Sequence, residues 1–288
     1  MSIDVSLDPL PSRRKPRWPA IALIAVCAVG LVGVGYGRAT LADIAAALPR
    51  TPDVATMPVS TVVVDRNGEL LRPYTTNDGI WRLPVELKDV DRHFIDMLIA
   101  YEDRHFAAHH GIDWGGVLRA AGQFVLAGGH IVSGGSTLSM QLARLIEVNS
   151  TRDLGAKLRQ MVHADALEHQ LSKDQILSLY LNLAPYGGNI EGIRAASLAY
   201  FGKEPARLTT AEAALLVALP QSPEARRPDL HPEAALAGRN RVLDRLVAAG
   251  VLAADDAAAA RREPIPRKRR NFPFLAPQLA RAAVAAHP

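Results

Sequence analysis

The chain has 288 residues, 49% of them hydrophobic and 5% aromatic, with 33 Lys and Arg against 29 Asp and Glu. This excludes a disordered chain and leaves room for one large domain or two small ones. A net charge of +4 is too dilute to point to nucleic acid, and the single cysteine, Cys27, excludes a disulfide framework or a cysteine-based zinc site.

Arg13, Arg14, Lys15 and Arg17 precede an apolar run from Pro19 to Gly37 that holds no charged residue. At about 1.5 Å per residue such a run spans roughly 28 Å, close to a bilayer core and longer than the apolar core of a cleaved signal peptide. Residues 1–17 therefore read as a basic cytoplasmic segment, 18–38 as one transmembrane anchor, and the remainder as exported. Cys27 follows Ala25 and Val26, a poor lipoprotein cleavage site, and reads as a small apolar residue of the anchor.

A stalk is expected over 39–58, where Ala-rich sequence gives way to Pro49, Pro52 and Pro58. Val59 to Asp65, the Arg66-Asn67-Gly68 turn and Glu69 to Arg72 spell a β-hairpin. From about Val85 the signals turn helical. Phe94, Met97, Leu98 and Tyr101 share one helical face that ends at Glu102-Asp103, and Thr151 can cap a helix carrying Leu154, Leu158, Met161 and Leu167. Ser172 to Gln175 and Thr209 to Glu212 are capping boxes, and Pro220 and Pro223 stop the second of these helices. Arg239 to Ala249 gives a further helix. The expected fold is mainly α with a small β-hairpin entry: one domain over 59–255, followed by a basic Pro/Ala-rich tail over 256–288 that reads as solvated.

Two segments carry chemistry. In Glu102-Asp103-Arg104-His105-Phe106, followed by His109, Gly111 and Asp113, paired carboxylates close an apolar helix. One of them, held against a cleft wall, can have its pKa raised toward that of a general base. His105 and His109 stand four apart, as metal ligands can, but no Glu follows His105 as in a zincin motif. In Ser133 to Arg144, glycines and hydroxyls run into a helix and present N–H groups suited to phosphate or pyrophosphate, with Arg144 as a nearby cation. The segment lacks the Lys-Ser/Thr ending of a P-loop.

Together these segments resemble the peptidoglycan glycosyltransferase domain (glycosyltransferase family 51) of class A penicillin-binding proteins and monofunctional glycosyltransferases. Glu102, Asp103, Phe106, His109, Gly111 and Asp113 match the first family motif. Gly134 to Leu138 with Gln141, Leu142, Ala143 and Arg144 match the second, and Lys173, Ile176, Leu177, Tyr180, Leu181 and Asn182 the fourth. The likeness runs from about Val59 to Ala249. In the third motif Ala156, Lys157 and Gln160 stand where the family has Arg, Lys and a second Glu, and in the fifth Gly238 precedes Arg239 in place of an arginine. Both variants are similar to those of the penicillin-binding protein 1C branch.

The resemblance implies a lysozyme-like bilobal helical domain that polymerises lipid II with inversion into β-1,4-linked glycan strands and releases undecaprenyl pyrophosphate. It implies Glu102 as general base, with Asp103 beside it orienting cationic neighbours. Substrate contacts would come from Phe106, His109, Ser136, Thr137, Gln141, Arg144, Lys157, Arg159, Gln160, Asn182 and Arg239. No cofactor is essential on this reading, though a divalent cation, Mg or Mn, could assist the pyrophosphate. Implied partners are lipid II, the growing glycan, the bilayer, and transpeptidases or other cell-wall synthesis proteins, at the inner (cytoplasmic) membrane with the catalytic domain on the periplasmic or extracytoplasmic side. Apolar Val117, Leu118, Phe124, Val125 and Leu126 are candidates to dip into lipid. A transpeptidase half is not expected, because the one Ser-x-x-Lys is Ser12 to Lys15 beside the anchor. The chain reads as an enzyme that works alone or was cut before a second half. The rival readings are a lytic transglycosylase or hydrolase, disfavoured because glycan cleavage has no pyrophosphate to neutralise, and a non-catalytic membrane partner, suggested only by Gln160 and Gly238.

Overall fold

A computed structural model describes residues 37–52, 57–126, 135–147 and 154–286. Residues 37–46 are helical and belong to a first unit, Met1–Ala47. No helix among the described residues is long and apolar enough to cross a membrane, and the expected anchor lies outside them up to residue 36. Thr151, the expected helix cap, is likewise outside them.

The second unit, Leu48–Pro288, opens with the expected hairpin. β1 (Val62–Val64) pairs antiparallel with β2 (Leu70–Pro73). The turn forms because Asp65 Oδ1 accepts the backbone N–H groups of Asn67 and Glu69 at 2.8 and 2.9 Å while Gly68 supplies a φ of 83°. A second sheet was not foreseen. β3 (Trp81–Arg82) runs parallel to β5 (Ile190–Glu191), which pairs antiparallel with β4 (Pro185–Gly187). Its strands are two or three residues long, too short for a period of two to register in sequence.

The rest is helical: α1 (Arg92–Glu102), α2 (Trp114–Leu126), α3 (Leu138–Ile146), α4 (Leu154–Gln170), α5 (Lys173–Leu183), α6 (Ile193–Phe201), α7 (Thr210–Ala218), α8 (Pro232–Ala248), α9 (Ala254–Arg262) and α10 (Pro277–Ala286). Both capping boxes exist, Ser172 with Gln175 starting α5 and Thr209 with Glu212 starting α7. In α7, Ala211 and every residue from Ala213 to Ala218 are buried, so it is apolar around its circumference and sits between α1, α6, α8 and α9. α3 packs on α4 and α5 and forms the other side of the core.

The expected solvated tail is structured. Ala257 and Ala260 bury α9 against α7 and α8. The strap of residues 263–276 then crosses both sheets: Arg270 N donates to Ala199 O at 2.7 Å, Leu275 N donates to Leu71 O at 2.9 Å, and the Phe272 ring packs on Trp81 with centroids 4.5 Å apart. Backbone groups and two rings do this docking, which a reading of the basic run alone does not see.

Candidate active site

Phe94, Ile95, Met97 and Leu98 bury one face of α1, and that phase brings the helix end, Tyr101 and Glu102, to the wall of a cleft of about 240 Å³. Two amides hold the carboxylate. Gln141 Nε2 donates to Oε2 at 2.7 Å and Gln221 Nε2 donates to Oε1 at 2.8 Å. Each amide is fixed in turn: Tyr180 Oη donates to Gln141 Oε1 at 3.3 Å, and Arg226 Nη1 donates to Gln221 Oε1 at 3.2 Å and to Ala218 O at 2.7 Å. Burial holds the Tyr180 hydroxyl well above its usual pKa, so it remains a donor. Burial also raises Glu102 above the ordinary carboxylate range, opposed by the two amides and by the positive fields of Arg245 and Arg226. The carboxylate is thus oriented as a proton acceptor and kept basic.

Asp103 turns the other way. It is buried, accepts Leu138 N at 2.9 Å and His109 Nε2 at 2.9 Å, and so ties the end of α1 to the first turn of α3. Burial raises its pKa while these hydrogen bonds and Lys173 oppose the rise. Glu168 lies 3.7 Å from His109 Nδ1 and takes the Lys173 ammonium and the Ser139 hydroxyl. Lys173 also covers the Phe106 ring at 4.6 Å and donates to His109 O at 2.7 Å.

A second cleft, of about 400 Å³, shares Tyr101, Glu102, Ser136 and Arg245 with the first and continues past Arg104, His105 and Arg119. The two openings therefore meet at Glu102. Arg144, Ser136 and Gln160 line the first. Lys157 donates to Ser136 Oγ, and its pKa is lowered by burial and by the charge of Arg144. A lysine and an arginine that repel one another are a site waiting for negative charge.

The sequence matches the transglycosylase family model over residues 67–247, more than half of its length. The chain belongs to the transglycosylase family. Penicillin-binding protein 1C of Escherichia coli (strain K12) is 48% identical over 220 residues, 76% of this chain and 28% of that protein. Penicillin-binding protein 1A of the same strain is 34% identical over 268 residues, 91% of this chain and 30% of that protein. A crystal structure of penicillin-binding protein 1A from Haemophilus influenzae aligns with 82% of this chain and 25% of that one, at 21% identity and a TM-score of 0.42. The chain thus spans under a third of these relatives. The higher identity to the 1C protein agrees with the motif variants that pointed to that branch.

Among the motif residues of this transglycosylase chain, the structure brings together Glu102, Ser136, Gln141, Arg144 and Gln160, with Lys157 at their edge. Others are held by bonds within the fold. Thr137 is buried, caps α3 by accepting Met140 N at 3.1 Å and donates to Gly111 O at 2.6 Å, so its hydroxyl is committed to the fold. Phe106 and His109 are buried in the Asp103 network. Asn182 binds the backbone of Val85 through Oδ1 at 3.1 Å and Nδ2 at 3.0 Å, away from the cleft. Arg239 is fully buried and donates to the Glu263 and Arg261 carbonyls at 2.6 and 3.0 Å, capping the end of α9. Arg159 is exposed on α4 and is not part of either cleft wall. Phe106, His109, Thr137, Asn182 and Arg239 thus each have structural partners within the fold, while Thr137 also lines the second cleft.

Reading the motifs missed Gln221, Arg226 and Arg245. Gln221 stands 119 positions from Glu102, just beyond the Pro220 that stops α7, and nothing local marks it. One family departure has a structural counterpart. A Cβ at Gly238 would lie 3.3 Å from both Ala218 Cβ and Arg226 Cδ, so the missing side chain lets α8 close on α7 and lets Arg226 reach Gln221. Ala156, the other, is buried in α4. For a divalent cation the donor set is poor: among the described residues no group of three or more His, Cys, Asp or Glu could hold a metal. His105 and His109 pair with different carboxylates, Asp113 and Asp103.

Proposed function

We propose that this chain is a peptidoglycan glycosyltransferase of bacterial cell-wall synthesis that polymerises lipid II into β-1,4-linked glycan on a lysozyme-like, bilobal helical domain. The observation that carries this reading is Glu102, half-buried, doubly amide-held and set where two clefts meet, with the Arg144, Lys157 and Ser136 group on one side. The incoming lipid II lies along the second cleft and the growing chain's terminal MurNAc, with its pyrophosphate, in the first. The acceptor C4 hydroxyl attacks the anomeric carbon and Glu102 takes its proton. The bond from the anomeric carbon to the pyrophosphate oxygen breaks, and undecaprenyl pyrophosphate leaves with the electron pair. Attack opposite the leaving group converts the α-linked donor to a β-1,4 bond. Pyrophosphate needs charge neutralisation more than protonation, so Arg144 and Lys157 suffice and Gln160 can stand where the family has an acid, hydrogen-bonding but donating no acid proton.

Both substrates carry lipid tails, which places the domain at the bilayer, on the periplasmic or extracytoplasmic face of the inner membrane, with the 18–38 segment as its anchor. Exposed Trp114 (61%), Leu118 (72%) and Leu126 (89%) of α2 give it a lipid-facing surface; the side chains of Phe124 and Val125 lie outside the described residues. Transpeptidases that crosslink the product are its expected protein partners. The test is lipid II polymerisation by the detergent-solubilised chain with and without Glu102→Gln. Glycan synthesis that depends on Glu102 is expected, and synthesis unchanged in the variant would remove the base from this mechanism.

A further inference from the structure

Away from the cleft, the C-terminal strap and the two sheets enclose a hollow of about 550 Å³ that shares no residue with the walls around Glu102. Its composition differs from that of a packing defect. Three guanidinium groups, Arg72, Arg269 and Arg270, line it with no carboxylate among the lining residues. Arg269 is partly balanced from behind by Asp229 Oδ2 at 3.4 Å. Among the described residues, neither Arg72 nor Arg270 has an acidic partner.

The donors are also held ready. The Arg72 guanidinium is stacked at 4.0 Å on Phe274 and at 4.8 Å on Tyr74, which fixes its plane. Arg72 Nη1 and Tyr74 Oη are buried without a hydrogen bond, whereas Arg269 Nε already faces Asp229 Oδ2. Buried donors of this kind cost free energy until they are met by an acceptor. Trp81 and Phe272 form a two-ring wall, and Phe274 is 62% exposed. Flat apolar rings pack against the faces of sugar rings, and planar guanidinium forks match carboxylates. The volume falls in the range of small-ligand sites.

We propose that this hollow is an accessory binding site for a carboxylated saccharide, with its acid group on Arg72 and Arg270 and a sugar face on Trp81 and Phe272. This rests on the glycosyltransferase reading for its biological source, the lactyl and peptide carboxylates of the glycan strand, though not for its chemistry. The site would hold product at a distance from Glu102 and lengthen each encounter with the strand.

The test is direct binding to the full detergent-solubilised chain carrying Glu102→Gln, so that turnover plays no part. The probes are a soluble disaccharide-peptide fragment, the same fragment with its carboxylates amidated, inorganic phosphate, and vesicles containing anionic phospholipid. The fragment is expected to bind, and Arg72→Ala and amidation are each expected to weaken it about tenfold or more, as for loss of a charge-assisted hydrogen bond. Arg270 is exposed, so Arg270→Gln leaves the fold intact, and a weakening of about fivefold there separates lost recognition from a loosened strap. Binding unaffected by either substitution or by amidation overturns the proposal. So does phosphate or vesicle binding as tight as the fragment's, which would assign the arginines to a phosphate group. Failure of lipid II polymerisation with fragment binding intact would sink the glycosyltransferase reading and leave this site standing.

Discussion

Half-buried Glu102 and buried Asp103 are adjacent in sequence and both raised in pKa by burial, yet they serve two different regions. Glu102 faces open cleft and is held by side-chain amides, groups that orient a carboxylate without neutralising it. Asp103 faces the interior and is satisfied by a backbone N–H and by His109, groups that join α1 to α3. The difference teaches that a motif residue is assigned by where its donors come from, not by its position in the motif. The largest expected effect follows on the cleft side. Glu102→Gln should lower lipid II polymerisation by about 10²–10⁴-fold, the usual contribution of a general base. Circular dichroism should show the helical content unchanged.

On the interior side the balance reverses. Asp103→Ala leaves Leu138 N–H and His109 Nε2 unpaired behind α1 and removes one of the carboxylates in the field of Lys173, whose direct partner is Glu168. A buried polar network opened in this way costs about 3 kcal/mol, or roughly 6–12 °C in Tm for a domain of this size. Thermal unfolding of the variant measures this. A Tm within 2 °C of the parent would dissolve the contrast between the two carboxylates.

The same distinction explains what could be read in advance. The hairpin turn, both capping boxes and the buried face of α1 were legible because their causes lie within a few residues: the Asp65 side chain, Gly68, Ser172 with Gln175, and apolar spacing at Phe94, Met97 and Leu98. The β3–β5–β4 sheet, the strap and Gln221 were not, since each depends on partners about 70 to 200 positions away in sequence. Motif resemblance found Glu102, Gln141 and Arg144 in the cleft but could not separate them from Asn182 and Arg239. A side chain that binds backbone in the core and one that faces a cleft look alike in a motif until the fold shows which carbonyls lie near.

Gln221 offers a finer cut. Its amide donates to the ionised form of Glu102 and so opposes the rise in pKa that burial causes. Activity needs the ionised base, so it falls as pH drops through the Glu102 pKa. Removing a donor, as in Gln221→Ala, should move that acid limb upward, though water replaces part of the lost hydrogen bond. The linked stability effect has a definite sign. With a raised pKa the native state holds its proton more tightly than the unfolded chain, so the stability this proton confers is full below the ordinary carboxylate range. It is lost as pH rises through the Glu102 value. A polymerisation rate profile between pH 5 and 9 measures the limb, and an unmoved limb would mean that Gln221 only packs.

The smallest expected effect tests the family departure at Gln160. This residue lines the same cleft as Glu102, and Gln160→Glu restores the carboxylate found elsewhere in the family. A second acid there disfavours ionisation of the first, so the acid limb should again move upward, by a few tenths of a pH unit, as expected for partly solvated like charges. At pH 8 the rate should stay within about threefold of the parent if, as proposed, Arg144 and Lys157 answer the pyrophosphate charge without an added acid proton. A gain of tenfold or more at pH 8 would show that the leaving group does use an acid, and that the natural glutamine limits this enzyme.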